Sequence, residues 1–193
     1  MKAVWDYVVK PKGERYNNTK KIGDKELILN TEISHHQYVN RQAIVKSTPL
    51  GFESEIKKGD TIIVHHNVFR RWYNQRKEEK NSSGFINEDT YIVSQDQIFA
   101  YNNGGGWKPL EGYCFIQPIK EDNKLNPMEK EKHIGVVKFS DGTVENGSLV
   151  GFKGIGQYEF VIDGKRLYRV KSNLITLKYE YQGNEEEYNP SWA

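Results

Sequence analysis

Five residues from the middle of this chain recur near its end without a gap. Tyr91, Val93, Asp96, Ile98 and Ala100 return in the same spacing as Tyr168, Val170, Asn173, Ile175 and Leu177. The segments ahead of them recur in the same order. Each half opens on an apolar run that ends in proline, Tyr7-Val8-Val9-Lys10-Pro11 and Cys114-Phe115-Ile116-Gln117-Pro118. A polar, irregular segment follows, then a short apolar run, Ala43-Ile44-Val45-Lys46 and Gly135-Val136-Val137-Lys138. A glycine turn launches the next run, Gly59-Asp60-Thr61-Ile62-Ile63-Val64 and Gly147-Ser148-Leu149-Val150. Self-similarity of this kind marks two copies of one structural unit. A tandem duplication is expected.

The runs themselves decide what each copy is made of. They are short, alternate or cluster their apolar residues, and are bounded by Gly, Asn, Asp and Pro, which reads as strand. The first half supplies Val4 to Val9, Gln42 to Lys46, Thr61 to His65, Thr90 to Val93 and Gln97 to Tyr101. The second supplies Tyr113 to Ile119, His133 to Phe139, Ser148 to Phe152, Tyr158 to Ile162, Arg166 to Val170 and Leu174 to Tyr179. Twelve Tyr and four Trp favour strands as well. Many short strands with turns between them predict a barrel or a sandwich. The expected modules are residues 1–101 and 111–180, joined by a flexible Gly-rich linker over 102–110. The alternative for Gly104-Gly105-Gly106 is a tight hairpin inside one domain. Residues 181–193 form an acidic, aromatic tail, expected to be mobile, in which Tyr188 and Trp192 are the docking candidates.

Composition narrows the function classes. Lys plus Arg number 28 against 26 Asp plus Glu, a net charge of +2, so nothing global points to nucleic acid or an anionic membrane. The single cysteine, Cys114, cannot form an internal disulfide and sits in an apolar run, as a buried core thiol would. No apolar run approaches membrane-span length and no signal core opens the chain, so a cytoplasmic protein is expected. His35-His36 and His65-His66 are adjacent pairs, and neighbours on a strand point to opposite faces, so no metal site is expected. No nucleophile–base constellation is legible, and the chain lacks a phosphate-binding Gly-rich loop ending in Lys-Ser/Thr. The expectation is no catalytic residue and no cofactor, hence no enzyme. An insertion over 69–85 holds Arg70, Arg71, Arg76, Lys77 and Lys80 with Trp72 and Tyr73. Such a stretch suits nucleic acid, but Glu78 and Glu79 dilute it and it is read as a solvated hairpin.

In its order of motifs the chain resembles the GroES-type co-chaperonins. The family has an opening strand, a mobile loop, a middle strand, a Gly-Asp turn and a closing hydroxyl-x-x-Asp-Ile-x-Ala segment. Here the turn is Lys57-Lys58-Gly59-Asp60 and the closing segment Ser94-Gln95-Asp96-Gln97-Ile98-Phe99-Ala100. The resemblance covers most of residues 1–101 and, more weakly, 111–180. It implies an all-β fold of two tandem GroES-like, partly open β-barrels, with a long mobile loop, about 12–41, in the first.

That loop is long for a passive connection and too polar to bury itself. Its one apolar island is Glu26-Leu27-Ile28-Leu29-Asn30. An exposed aliphatic tripeptide suits a docking anchor, and the resemblance implies that Leu27, Ile28 and Leu29 bind a chaperonin. The other reading is a further barrel strand, Glu26 to Ile33. The corresponding segment of the second half, Glu121 to Lys132, has Leu125 and Met128 but no such tripeptide. The implied partners are a GroEL-type chaperonin ring with ATP bound to the chaperonin, and further copies of this chain in a ring, a heptamer; neither nucleic acid nor membrane is among them. The segment Pro49 to Glu55 is short where the cellular family carries a roof hairpin, as in phage-encoded co-chaperonins. The alternative of a different class is a non-catalytic structural or adaptor β-module, such as a phage virion component.

Overall fold

The computed structural model describes residues 2–16, 19–28, 38–120, 133–180 and 185–190. Among these the regular structure is strand, interrupted by three short 3-10 turns, and there is no α-helix. The fold is all-β. The chain divides into two compact units, Met1–Gly106 and Trp107–Ala193.

The first unit contains β1 (Tyr7–Pro11), β2 (Thr19–Ile22), β3 (Lys25–Ile28), β4 (Gln42–Ser47), β5 (Thr61–Val64), β6 (Arg71–Tyr73), β7 (Glu79–Asn81), β8 (Phe85–Asn87), β9 (Thr90–Val93) and β10 (Ile98–Asn102). Its main sheet runs β10-β5-β4-β1-β9-β8, and β2–β3 and β6–β7 are separate two-stranded hairpins. The second unit contains β11 (Trp107–Pro109), β12 (Tyr113–Pro118), β13 (Ile134–Ser140), β14 (Leu149–Phe152), β15 (Tyr158–Ile162), β16 (Lys165–Lys171) and β17 (Ile175–Tyr179). Its sheet runs β17-β14-β13-β12-β16-β15. The two orders are the same.

The agreement extends to single residues. Val9 pairs Val45 on one side and Tyr91 on the other, as Ile116 pairs Val137 and Tyr168. Ile98 pairs Val64 as Ile175 pairs Phe152. The register slips at one place in both opening strands, between Val8 and Val9 and between Phe115 and Ile116, which marks a shared bulge. The glycine turns match too. Gly59 N–H donates to Val45 O (2.8 Å) and Gly147 N–H to Val137 O (2.7 Å). Both glycines have φ near +90°, at +97° and +87°, where a side chain would be strained.

Alternation along these strands builds each core. In β4, Ala43 and Val45 turn inward to meet Tyr7, Val9, Ile62, Val64, Tyr91 and Val93 in the buried interior of the unit. In the second unit Cys114, Ile116, Val137, Val150, Phe152, Tyr168 and Val170 form one cluster. Cys114 is fully buried, as its apolar run requires.

Both sheets are open: among the described residues β8 does not pair with β10, nor β15 with β17. Other expectations are corrected. The stretch expected to be linker is partly strand: β10 continues to Asn102 and β11 begins at Trp107. The first strand starts at Tyr7 rather than Val4, leaving Val4 and Trp5 exposed. The tail is held from Glu185 to Pro190. Lys120 N–H donates to Glu186 O (2.6 Å), Tyr188 N–H to Pro118 O (2.7 Å), and Asn189 caps the β15–β16 turn by accepting from Arg166 N–H (2.8 Å) and donating to Gly164 O (2.8 Å). Composition hid this, because the partners are backbone groups. Trp192 lies outside the described residues.

The turn after β13 is built on one carboxylate. Asp141 accepts from Ser172 Oγ (2.7 Å), Gly112 N–H (2.8 Å) and Thr143 N–H (3.0 Å). Burial raises the pKa of its carboxyl, but the bonds from Thr143, Ser172 and Gly112 outweigh this and hold it at about 2. An unfolded Asp titrates near ~3.9. The stabilisation is therefore complete above about pH 4 and lost as pH falls towards 2. Asp141→Asn should lower the melting midpoint at neutral pH and flatten its decline across that window. Melts recorded over the acid range check this; parallel curves for the two proteins would count against it.

Candidate functional site

Leu27 and Ile28 of the aliphatic island lie on β3, one strand of a hairpin that belongs to neither main sheet. Thr19 pairs Ile28, Lys20 pairs Leu27, Lys21 pairs Glu26 and Ile22 pairs Lys25. Gly23 and Asp24 make the turn, with Gly23 at φ +61°. The expected irregular loop is thus a β-hairpin over 19–28, because Gly-Asp flanked by strand-compatible residues can close two antiparallel strands. Among the described residues β3 pairs with β2; residues 29–33 of the other expectation, a barrel strand from Glu26 to Ile33, lie outside them. Leu27 is 53% exposed. Leu29 lies outside the described residues, as do His35, His36, Leu125 and Met128.

The base of the loop is clamped. Tyr16 bridges Val39, and Asn40 N–H donates to Arg15 O (3.0 Å). The Asn40 amide donates to Lys12 O (3.0 Å) and Glu14 O (2.8 Å). Arg15, Tyr16, Val39 and Asn40 are all buried. Arg15 carries the clamp into the body of the unit. Its Nε donates to Phe69 O (2.7 Å), its Nη2 to Asn81 Oδ1 (2.7 Å), and its Nη1 meets Glu88 Oε1 at 3.3 Å. The guanidinium also lies over the rings of Phe85 (5.2 Å) and Tyr91 (5.4 Å). Beside it Tyr16 Oη accepts from Arg71 N–H (2.6 Å), with the Arg71 guanidinium over its ring at 5.0 Å. Burial pushes the Tyr91 hydroxyl up to about 12, despite the lowering influence of Arg15.

No protein-family model matches this chain, and no curated protein matches it in sequence. The site therefore rests on its own geometry.

The clamp was not legible in the sequence. Arg15, Tyr16 and Asn40 sit in a polar stretch where nothing distinguishes a buried Arg from a solvated one. The only signal was a lone Tyr beside an Arg at the mouth of the loop. The histidine pair is also placed differently from expectation. β5 ends at Val64, so His65 and His66 are not on a strand; His65 caps a 3-10 turn and the two rings lie 4.2 Å apart. Among the described residues no group of three His, Cys, Asp or Glu side chains is placed to hold a metal ion. Nor, among them, is any helix long and apolar enough to cross a membrane.

Loss of Arg15 would leave the buried Phe69 carbonyl and Asn81 amide oxygen without their donor. Each such orphan costs about 1–3 kcal/mol, so Arg15→Ala should destabilise the chain by about 2–4 kcal/mol. Protease cleavage within residues 17–37 should accelerate with it. Denaturant unfolding and limited proteolysis measure both, and an unchanged cleavage rate would contradict the clamp.

Proposed function

We propose that the chain is a co-chaperonin that caps a GroEL-type chaperonin ring, with the β2–β3 hairpin as its docking element. One observation carries the reading: a hairpin outside both main sheets, on a clamped base, presents the exposed Leu27 at the start of the Leu27-Ile28-Leu29 island. Monomeric folds gain nothing from holding an aliphatic residue in water on a two-stranded ribbon. A groove on a partner would desolvate it, and full burial of such a side chain contributes about 1.5–3 kcal/mol. Ordering of the loop offsets part of that, so a single hairpin binds weakly. Several copies in one ring convert weak contacts into useful avidity. The ATP chemistry belongs to the chaperonin.

Leu27→Asp tests the docking element. A carboxylate forced into an apolar groove is desolvated without a partner, so capture by a GroEL-type chaperonin in the presence of ATP should be lost. The stability should stay within about 0.5 kcal/mol of wild type, as for an exposed surface position. Retained capture would remove the proposal.

Ring formation follows from open strand edges, which favour pairing between subunits. In the second unit β17 ends the sheet with exposed Leu177 and Tyr179, which makes it the candidate for subunit contact. Light scattering should give the mass of a ring, taken as a heptamer, and replacing Leu177 and Tyr179 together by Lys should lower it. A monomeric wild-type mass would refute the ring.

A further inference from the structure

The first unit has a groove of about 920 Å³ between its β6–β7 hairpin and its main sheet. Trp72, Tyr73, Arg70, Gln97, Gly84 and Ile92 line it. Trp72 and Tyr73 are 37% and 59% exposed. The duplication says what this place on the sheet accepts. With Tyr91 aligned on Tyr168, Ile92 corresponds to Arg169, and Gly84, whose carbonyl accepts from Ile92 N–H (2.7 Å), corresponds to Tyr158 opposite Arg169. In the second unit the Arg169 guanidinium lies over the rings of Tyr158 (4.6 Å) and Tyr113 (4.8 Å), a layer of stacked planar groups. At the corresponding positions the first unit has Ile92 and Gly84, which supply neither guanidinium nor ring. Nor can a side chain grow there, since a Cβ on Gly84 would meet Ile92 O at 2.0 Å. What remains is a slot beside an indole that fits a planar group from outside.

Charge specifies the rest of the ligand. Glu78 and Glu79 are engaged inside the hairpin, Glu78 with Lys80 (3.1 Å) and Asn74 (2.9 Å), Glu79 with Arg71 (3.4 Å). Arg70, Arg76 and Lys77 have no carboxylate partner among the described residues, and Arg70 Nε is buried with no hydrogen-bond acceptor. Lys77 closes the hairpin loop at φ +59°, donating its N–H to Asn74 O (2.9 Å), in a position where glycine is the default. A cation held in a strained turn conformation is the kind of outlier that marks a functional residue. The planar stacking surface and the orphaned Arg70 guanidinium at the groove, with the uncompensated Arg76 and Lys77 in the hairpin loop beyond it, match one chemistry, an unpaired base with its flanking phosphates.

We propose that this groove binds single-stranded nucleic acid, a base stacking on Trp72 while phosphates meet Arg70, Arg76 and Lys77. The site is independent of the docking hairpin. The two glutamates that dilute the basic run in sequence are spent on Arg71 and Lys80 in space.

The test is fluorescence anisotropy of a labelled oligothymidylate titrated with the full chain at several salt concentrations. Saturable, salt-sensitive binding is expected. Trp72→Ala should weaken it about tenfold, as loss of one stacking platform does, whereas Trp72→Phe should largely restore it. The double change Arg76→Ala, Lys77→Ala should reduce the slope of log affinity against log salt by about 1.4. All three variants should melt with the wild type, because these side chains lie on an exposed two-stranded hairpin. The proposal is overturned by absence of saturable binding at low salt, or by binding that neither Trp72→Ala nor the double change weakens. Equal binding of a duplex of the same length, displacement by polyglutamate as effective as by oligonucleotide, or binding of a free mononucleotide alone would overturn it too.

Discussion

Each unit depends on placing its opening strand in the middle of the sheet. β1 is hydrogen-bonded to β4 on one side and β9 on the other, and β12 to β13 and β16. A strand buried on both edges leaves no backbone group for solvent, so everything after it must be arranged to return to it twice. Antiparallel β1 and β4 could be joined by a tight turn, yet the chain between them leaves the main sheet and forms the β2–β3 hairpin. The clamp of Arg15, Tyr16, Val39 and Asn40 lies where that excursion departs and returns.

The two units share a strand order and differ in what fills it. Tyr91 and Tyr168 stand at the same register position and are both buried. Each has a guanidinium over its ring, but Arg15 reaches Tyr91 from the loop mouth, whereas Arg166 reaches Tyr168 from two residues away on the same strand. The first arrangement ties a distant loop to the core; in the second, Arg166 also meets Glu159 on the neighbouring strand. In the second unit the equivalent position beside the opening strand is taken by the tail, which pairs at Ile119 and Glu187 and is reinforced by Lys138 and Lys120 ion pairs with Glu187 and Glu186.

The repeated strands were legible because their signal is local. Thr90–Val93 and Tyr158–Ile162 coincide with the expected runs, and most others shift by one or two residues at an end. The unread strands were the short ones. β2, β6, β7, β8 and β11 span three or four residues each, too few for alternation to show. The candidate docking site was legible through Leu27, which an apolar island in a polar stretch exposes to view. Its clamp was not, since a buried Arg reads in sequence like any other; only its three-dimensional partners, Phe69 O and Asn81, reveal it. Sheet closure was likewise beyond the sequence, because short strands of this kind suit barrels and open sheets equally.

A fixed base and a projecting tip have a definite energetic meaning for a docking element. If the whole of residues 12–41 were ordered only on binding, the entropy of some thirty backbones at about 1–2 kcal/mol each would exceed what three aliphatic side chains return. Clamping Arg15 and Asn40 into the body of the unit, and pairing Thr19–Ile22 with Lys25–Ile28 in the free chain, removes much of that cost before any partner arrives. Burying Leu27 in the free chain instead would stabilise the monomer and leave less to drive association. An exposed leucine on a pre-paired strand above a buried arginine keeps both terms small, which suits an interaction that must form and release repeatedly.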